Sequence, residues 1–231
     1  MRTLVLIPVR GGSKGVPRKN LREVAGKPLV VWTIEQALAI TVPSGEHVDV
    51  VVSTEDAELA AIARGAGAEV LDRPVELAQD DTATEPVVLH AIDALTADGR
   101  GPDRVMLLQA TSPIRREGTL DRALGEHALT GVDSLVGVVP EAPFHWQTTP
   151  LGPLPAYDVD RRPRRQDLTP ETLRYRETGS VYVTRTEIYR RQANRIGGRV
   201  GLFVMSEEEG LDIDTELDVV IAEQWLRGGR G

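Results

Sequence analysis

Residues 3–9 read as a continuous apolar run that ends in a basic, glycine-rich stretch, Arg10-Gly11-Gly12-Ser13-Lys14-Gly15. A strand with no polar face must be covered on both sides, which places it at the centre of a mostly parallel sheet between two helical layers. The rest of the chain supplies those layers. Apolar residues at helical spacing (Leu29, Trp32, Ile34, Leu38) predict a helix over 28–40. A strand over 48–52 follows, and Ser53-Thr54-Glu55-Asp56 reads as an N-cap for a helix over 57–64 that Gly65 and Gly67 end. The alternation continues with strands over 69–71, 104–109, 134–139, 179–184 and 200–205. Helices are expected over 85–95, 117–129, 187–192 and 215–227. The expected class is α/β, with three layers in the Rossmann manner.

The 231 residues suit one domain spanning 1–231. Between 140 and 175 the alternation stops: seven prolines fall there, with Phe144, Trp146 and Tyr157 among them to be buried, so the stretch reads as an excursion rather than a linker. There is no cysteine, which excludes disulfides, thiolate chemistry and cysteine-ligated zinc. A net charge of −8 disfavours nucleic acid as a partner. No apolar run reaches the ~18 residues of a membrane span, and without a signal-peptide layout a cytoplasmic setting is expected.

Four stretches carry chemistry. In the segment Arg10 to Asn20, glycine backbone N–H groups and four cations (Arg10, Lys14, Arg18, Lys19) can hold phosphates at a strand's carboxyl end. Lys14, Lys19 and Lys27 are the only lysines among 27 basic residues. Asp212-Ile213-Asp214 places alternate carboxylates on an extended segment, a pattern that holds Mg²⁺; the plainer reading makes Asp214 a helix cap with Glu216 and Asp218 behind it. Gln109, Thr111 and Ser112 end the strand over 104–109 with an amide and two hydroxyls. Arg161, Arg162, Arg164, Arg165, Arg174 and Arg176 give the excursion its own charge, either for an anionic acceptor or as a solvated face paired with Asp158, Asp160 and Asp167. The four histidines show no metal spacing, and His90 reads as a partly buried, satisfied residue.

Five ordered blocks carry a resemblance. They are Ile7–Lys14 with Pro17-Arg18-Lys19-Asn20; Arg73-Pro74-Val75-Glu76-Leu77-Ala78; residues 107–115; Arg165-Gln166-Asp167-Leu168 with Arg176-Glu177-Thr178-Gly179; and Asp212-Ile213-Asp214-Thr215-Glu216. Together, over residues 3–226, the chain resembles the acylneuraminate cytidylyltransferases, the CMP-sialic acid synthetase family. The resemblance implies a nucleotidyltransferase fold and Mg²⁺-dependent transfer of CMP from CTP to an acidic, sialic-acid-like acceptor, with pyrophosphate released. It implies that Arg10, Lys14 and Lys19 hold the triphosphate, with Gly12 and Ser13 in the same loop, and that Asn20, Arg73 and Thr84 surround the cytosine and ribose. Asp212 and Asp214 bind the metal on this reading, and Asp214 helps to deprotonate the nucleophile, with Lys19 and Arg10 as further catalytic groups. Gln109, Arg165, Arg176, Thr178 and Tyr182 face the acceptor, and the excursion makes a homodimer.

Three positions depart from that family. Thr178 stands where its members carry Asn, no lysine follows Lys27, and residues 192–198 lack an aromatic pair. These departures sit on the acceptor side and leave a small phosphonate as an alternative acceptor. A D-x-D glycosyltransferase and a non-catalytic nucleotide sensor are readings from other classes.

Overall fold

A computed structural model describes residues 1–12, 16–170 and 172–228. Its first half runs β1 (Arg2–Pro8), β2 (Glu23–Val24), β3 (Lys27–Pro28), α1 (Leu29–Leu38), β4 (His47–Thr54), α2 (Ala57–Gly65), β5 (Glu69–Asp72), α3 (Thr84–Ala97) and β6 (Arg104–Leu108). Then come α4 (Thr119–Thr130), β7 (Ser134–Glu141), β8 (Trp146–Thr149), β9 (Gly152–Pro155), β10 (Arg174–Arg185), α5 (Thr186–Gln192), β11 (Val200–Val204) and α6 (Glu216–Gly228). The main sheet has the order β11-β7-β10-β6-β1-β4-β5. β10 pairs antiparallel with both β6 and β7, and the other pairings in the sheet are parallel.

The buried centre of the first strand, residues 3–7, explains the layers. Val5 and Ile7 point to one face, where they meet α1, α2 and α4 through Ile34, Leu59 and Leu120. Leu4 and Leu6 point to the other, against Val88, Ile92 and Leu95 of α3 and Tyr189 of α5. Burying each such side chain contributes roughly 1.5–3 kcal/mol. A third cluster packs Val219 and Ala222 of α6 with Ile213, Val24 and Leu29. That cluster fixes the segment between the two aspartates.

Helix ends follow local chemistry. Asp56 caps α2, its Oδ1 accepting from the backbone N–H of Glu58 at 2.9 Å and of Leu59 at 3.0 Å. Two elements differ from the pattern in the sequence. β10 starts at Arg174 rather than 179, because β7 continues to Glu141 and offers it a partner; a bulge between Glu177 and Tyr182 absorbs the mismatch. β7 carries Pro140 beyond the point opposite Val204, where β11 ends and the strand is an edge on that side. The excursion holds the hairpin β8–β9 and an aromatic knot: Tyr157 meets Phe144 edge-on at 5.3 Å, and the Arg162 guanidinium lies 4.4 Å from the Phe144 ring. His90 is half-buried on α3, but its Nδ1 has no hydrogen-bond partner, so it is not the satisfied residue expected.

Candidate active site

The chain leaves β1 for β4 on one side and reaches β6 on the other, so the loops after β1 and β6 part at their carboxyl ends. Ligands of open α/β sheets bind at such a switch point. Here a cavity of about 400 Å³ opens, and nine of the residues singled out in the sequence line it: Arg10, Gly12, Lys19, Asn20, Arg73, Thr84, Gln109, Thr111 and Asp214.

The loop after β1 is held from below by acids at the start of α2. The Gly11 N–H donates to Glu55 Oε1 at 2.8 Å, and a Cβ on Gly11 would stand 2.4 Å from Asp56 Oδ2. Any side chain there would push on the residue that caps α2. Arg10 reaches across the cavity to Asp80 Oδ1 at 2.7 Å and the Gln79 carbonyl at 3.3 Å. Lys19, largely buried, donates to the Ile213 carbonyl and stands 3.1 Å from Asp214 Oδ1. Both cations are therefore neutralised by exposed carboxylates, which a phosphate chain can replace.

Deeper in, Asn20 donates to the Arg10 carbonyl at 3.2 Å, while its own Oδ1 is buried without a partner. Arg73 is buried, bonded through Nε to Ser53 Oγ at 3.2 Å and through Nη2 to the Ser53 carbonyl. Burial pushes its guanidinium below the usual range; Glu55 opposes that shift and Arg10 adds to it. Thr84 is the first residue of α3, next to Ala83, whose side chain caps nothing. Gln109 lies against Gly179, where the backbone has φ +72° and a Cβ would meet Gln109 Oε1 at 2.7 Å. The glycine makes room for the amide.

The two aspartates divide. Ile213 is buried between them, and its N–H donates to the Thr111 carbonyl at 2.8 Å. Asp214 faces the cavity, whereas Asp212 lines a second cleft of about 480 Å³ with Arg176, Ile114 and Trp225. Asp214 is not the cap of α6. Thr215 and Asp218 form that cap: Asp218 Oδ2 accepts from the Thr215 N–H at 2.8 Å, and the Asp218 N–H donates to Thr215 Oγ1 at 3.3 Å. Asp214 is thereby left for Lys19.

Other residues lie elsewhere. Arg165 is exposed on a single 3-10 turn, Arg165–Asp167. Arg176 donates to the Gly210 carbonyl at 3.3 Å. Thr178 is buried, its hydroxyl donating to the Gly137 carbonyl at 3.0 Å and accepting from the Ser180 N–H at 3.1 Å. The Tyr182 hydroxyl is buried and donates to Glu177. Burial first, then Glu177, pushes Tyr182 above its usual range. Where an aromatic pair was absent, Arg195 bonds Glu85 at 2.6 Å and lies 5.3 Å from the Tyr182 ring. Ser112 is fully buried, so only Thr111 brings a hydroxyl to the cavity from that turn. Lys27 pairs with Glu35 and sits 3.6 Å from the Trp32 ring, away from the cavity. Ser13 and Lys14 lie outside the described residues. Asp80 carried no signal in the sequence beyond a polar loop.

A parallel-centred α/β sheet with a basic loop, a D-x-D segment and a glutamine at one switch point defines a nucleotidyltransferase-like protein. Residues 4–195 match the family model described as cytidylyltransferase, and the chain belongs to that family. It is 35% identical over 228 residues to N-acylneuraminate cytidylyltransferase A of Danio rerio, covering 95% of this chain and 49% of the relative. It is 29% identical over 226 residues to the N-acylneuraminate cytidylyltransferase of Streptococcus agalactiae serotype III, covering 95% and 52%. The chain thus spans about half the length of the curated relatives it matches. The fold is similar to that of CMP:2-keto-3-deoxy-manno-octonic acid synthetase complexed with CTP, at a TM-score of 0.68 and 16% identity, covering 97% of this chain and 100% of the other. It is also similar to 4-diphosphocytidyl-2C-methyl-D-erythritol synthase from Anaerococcus prevotii, at 0.63 and 11%, covering 97% and 98%. The resemblance read from the five blocks is borne out. Among the described residues, no helix is long and apolar enough to cross a membrane.

Proposed function

We propose that this chain transfers CMP from CTP to an acidic, sialic-acid-like sugar acceptor and releases pyrophosphate. The observation that carries the reading is one cavity in which Arg10 and Lys19 oppose Asp214 and Gln109. A triphosphate laid along the β1 loop exchanges Asp80 and Asp214 for phosphate oxygens on Arg10 and Lys19, with Ser13 and Lys14 of the same loop contributing. Asn20, with its unsatisfied Oδ1, and Arg73 stand beside the base and ribose; Thr84 opens the helix next to them. The acceptor approaches from the Gln109 side, so that its hydroxyl meets the α-phosphorus between Gln109 and Asp214. Arg165, exposed on its turn, and Arg176, at the second cleft, are assigned to the acceptor by the resemblance and do not line this cavity; Thr178 and Tyr182 are buried and act as supports.

Of the D-x-D segment, Asp214 stands exposed at the cavity, where phosphate and water would complete the shell of a hard divalent cation; Asp212, whose buried Oδ1 lacks a partner, lies toward the second cleft and would join that shell only by turning. Mg²⁺ bound there would neutralise charge that builds on the phosphates. Lys19 does the same from the protein, and Asp214 is placed to accept the proton of the attacking hydroxyl. Relatives at 29% and 35% identity are named for N-acylneuraminate, which supports this acceptor class. The reading includes a homodimer joined through the excursion and a cytoplasmic setting.

Pyrophosphate release with CTP and Mg²⁺ tests the proposal on a panel of N-acetylneuraminate, deaminated and di-N-acetylated nonulosonates, 3-deoxy-manno-octulosonate and an aminoalkyl phosphonate. Turnover with a nine-carbon sugar acid is expected. Asp214→Asn should bind CTP and lose at least about 10²-fold in kcat. Turnover with the phosphonate alone would replace the acceptor class, and no turnover with any would overturn the activity.

A further inference from the structure

Arg115 lies immediately beyond the cavity, is 6% exposed, and makes four hydrogen bonds. Nη2 donates to the Gln109 carbonyl at 3.1 Å and to the Ser180 carbonyl at 2.7 Å. Nη1 donates to Gln36 Oε1 at 2.8 Å and Thr33 Oγ1 at 3.2 Å, both on α1. Gln36 in turn donates to the Pro113 carbonyl at 2.8 Å, closing the turn over the arginine. One planar fork therefore ties the end of β6 to the bulged part of β10 and to α1. A lysine, with a single point of donation, cannot hold two carbonyls and two side chains at once.

The turn that Arg115 clasps carries both halves of the site. Gln109 projects from its start into the cavity, with Gly179 (next to Ser180) behind the amide. Its middle, through the Thr111 carbonyl, holds the Ile213 N–H and so the D-x-D segment, to whose Ile213 carbonyl Lys19 is also bonded. Glu209 is the buried counter-charge. Its Oε1 accepts from the Arg116 N–H at 2.9 Å and Thr119 Oγ1 at 2.6 Å, and its Oε2 from Ser206 Oγ at 2.7 Å. On the nucleotide side, Lys19 meets this network through the Ile213 carbonyl, whereas Arg10 bonds Asp80 and the Gln79 carbonyl, Asn20 the Arg10 carbonyl, and Arg73 Ser53.

We infer that Arg115 is a positioning residue that sets the spacing between Gln109 and the Asp212-Ile213-Asp214 segment, and so governs acceptor alignment more than nucleotide binding, which it meets only through Lys19 on the Ile213 carbonyl. The role rests on the proposed cytidylyl transfer, but the clasp itself is testable without turnover. Arg115→Lys keeps a buried positive charge in the field of Glu209; should it not fold, Arg115→Met with Glu209→Gln removes both buried charges together, so that neither is left uncompensated.

Hydrogen exchange on the folded variant should show lost protection at the amide of Ile213, with the amide of Leu59 in α2 unchanged. Calorimetric CTP affinity should stay within about threefold. With an acceptor that the native chain uses, kcat should fall on the order of 10²-fold and acceptor KM should rise, because small misplacement of reacting groups costs that much. An inert native chain would condemn the functional reading and leave the exchange result to decide the clasp. Unchanged exchange at Ile213, or a loss confined to thermal stability with kcat and acceptor KM intact, overturns the inference.

Discussion

Asp80 shows how much one side chain can govern when a site is built from cations. Its carboxylate occupies Arg10 in the structure at 2.7 Å, and both side chains are partly exposed, at 54% and 30%. An exposed pair of this kind is worth about 0.2–1 kcal/mol. A triphosphate has to displace it before Arg10 can engage, so the pair acts as a modest brake on nucleotide binding. Asp80→Asn should tighten CTP by up to about fivefold at low salt. The gain should shrink as ionic strength rises and screens the competition. Titration calorimetry at two salt concentrations reads both effects, and weaker binding by the variant would show that Asp80 holds the nucleotide instead.

At the scale of elements, what could be read from the sequence was what is decided locally. The first strand was legible because the unbroken apolar run from Leu4 to Val9 admits one environment, and α2 was legible because Asp56 and the glycines after it mark both ends. The β1 loop announced itself by charge and glycine, and D-x-D by spacing. The length of β10 was not legible: residues 174–178 are strand because β7 runs opposite them, not because of their own pattern. Nor was the separate placing of Asp212 and Asp214, which depends on Ile213 entering a cluster made by α6 and β2. The hairpin β8–β9 was hidden by Pro153 and Pro155, which an exposed two-stranded ribbon accepts. That hairpin shows Trp146, Leu151 and Leu154 to solvent. Two strands standing alone are marginal in water, and the proposed homodimer would cover them. Leu151→Asp with Leu154→Asp should shift sedimentation from dimer to monomer without loss of the main fold. A native chain that sediments as a monomer at tens of micromolar would remove the dimer from the reading.

Across the whole molecule, the candidate site and the histidine most strongly perturbed by burial sit at opposite ends of the sheet. The cavity lies at the carboxyl ends of β1 and β6, whereas their amino ends meet a buried cluster of Arg104, His127 and Glu46. Arg104 is 2% exposed, with Glu46 at 3.0 Å and Thr3 Oγ1 at 2.8 Å. Burial, then Arg104 and Arg185, push His127 down to about 4, against a hydrogen bond to the Asp133 backbone and the Asp133 charge, which favour protonation. Unfolded, the same imidazole takes a proton near pH 6.5. Because the unfolded state then binds more protons, this residue's contribution to stability is intact above pH 6.5 and is lost as pH falls toward 4. Between pH 7.5 and 4.5 the loss from His127 alone is on the order of 2–3 kcal/mol. Carboxylates held below their usual range, such as Glu209 through Thr119 and Ser206 against its burial, add losses in the same direction. The difference between native chain and His127→Gln isolates the imidazole, since glutamine keeps a donor for the Asp133 carbonyl and cannot titrate. Urea midpoints measured from pH 7.5 to 4.5 should converge as pH falls, the native chain losing the larger share. Parallel curves would mean that the acid sensitivity comes from the carboxylates, and that the buried histidine keeps its proton balance in both states.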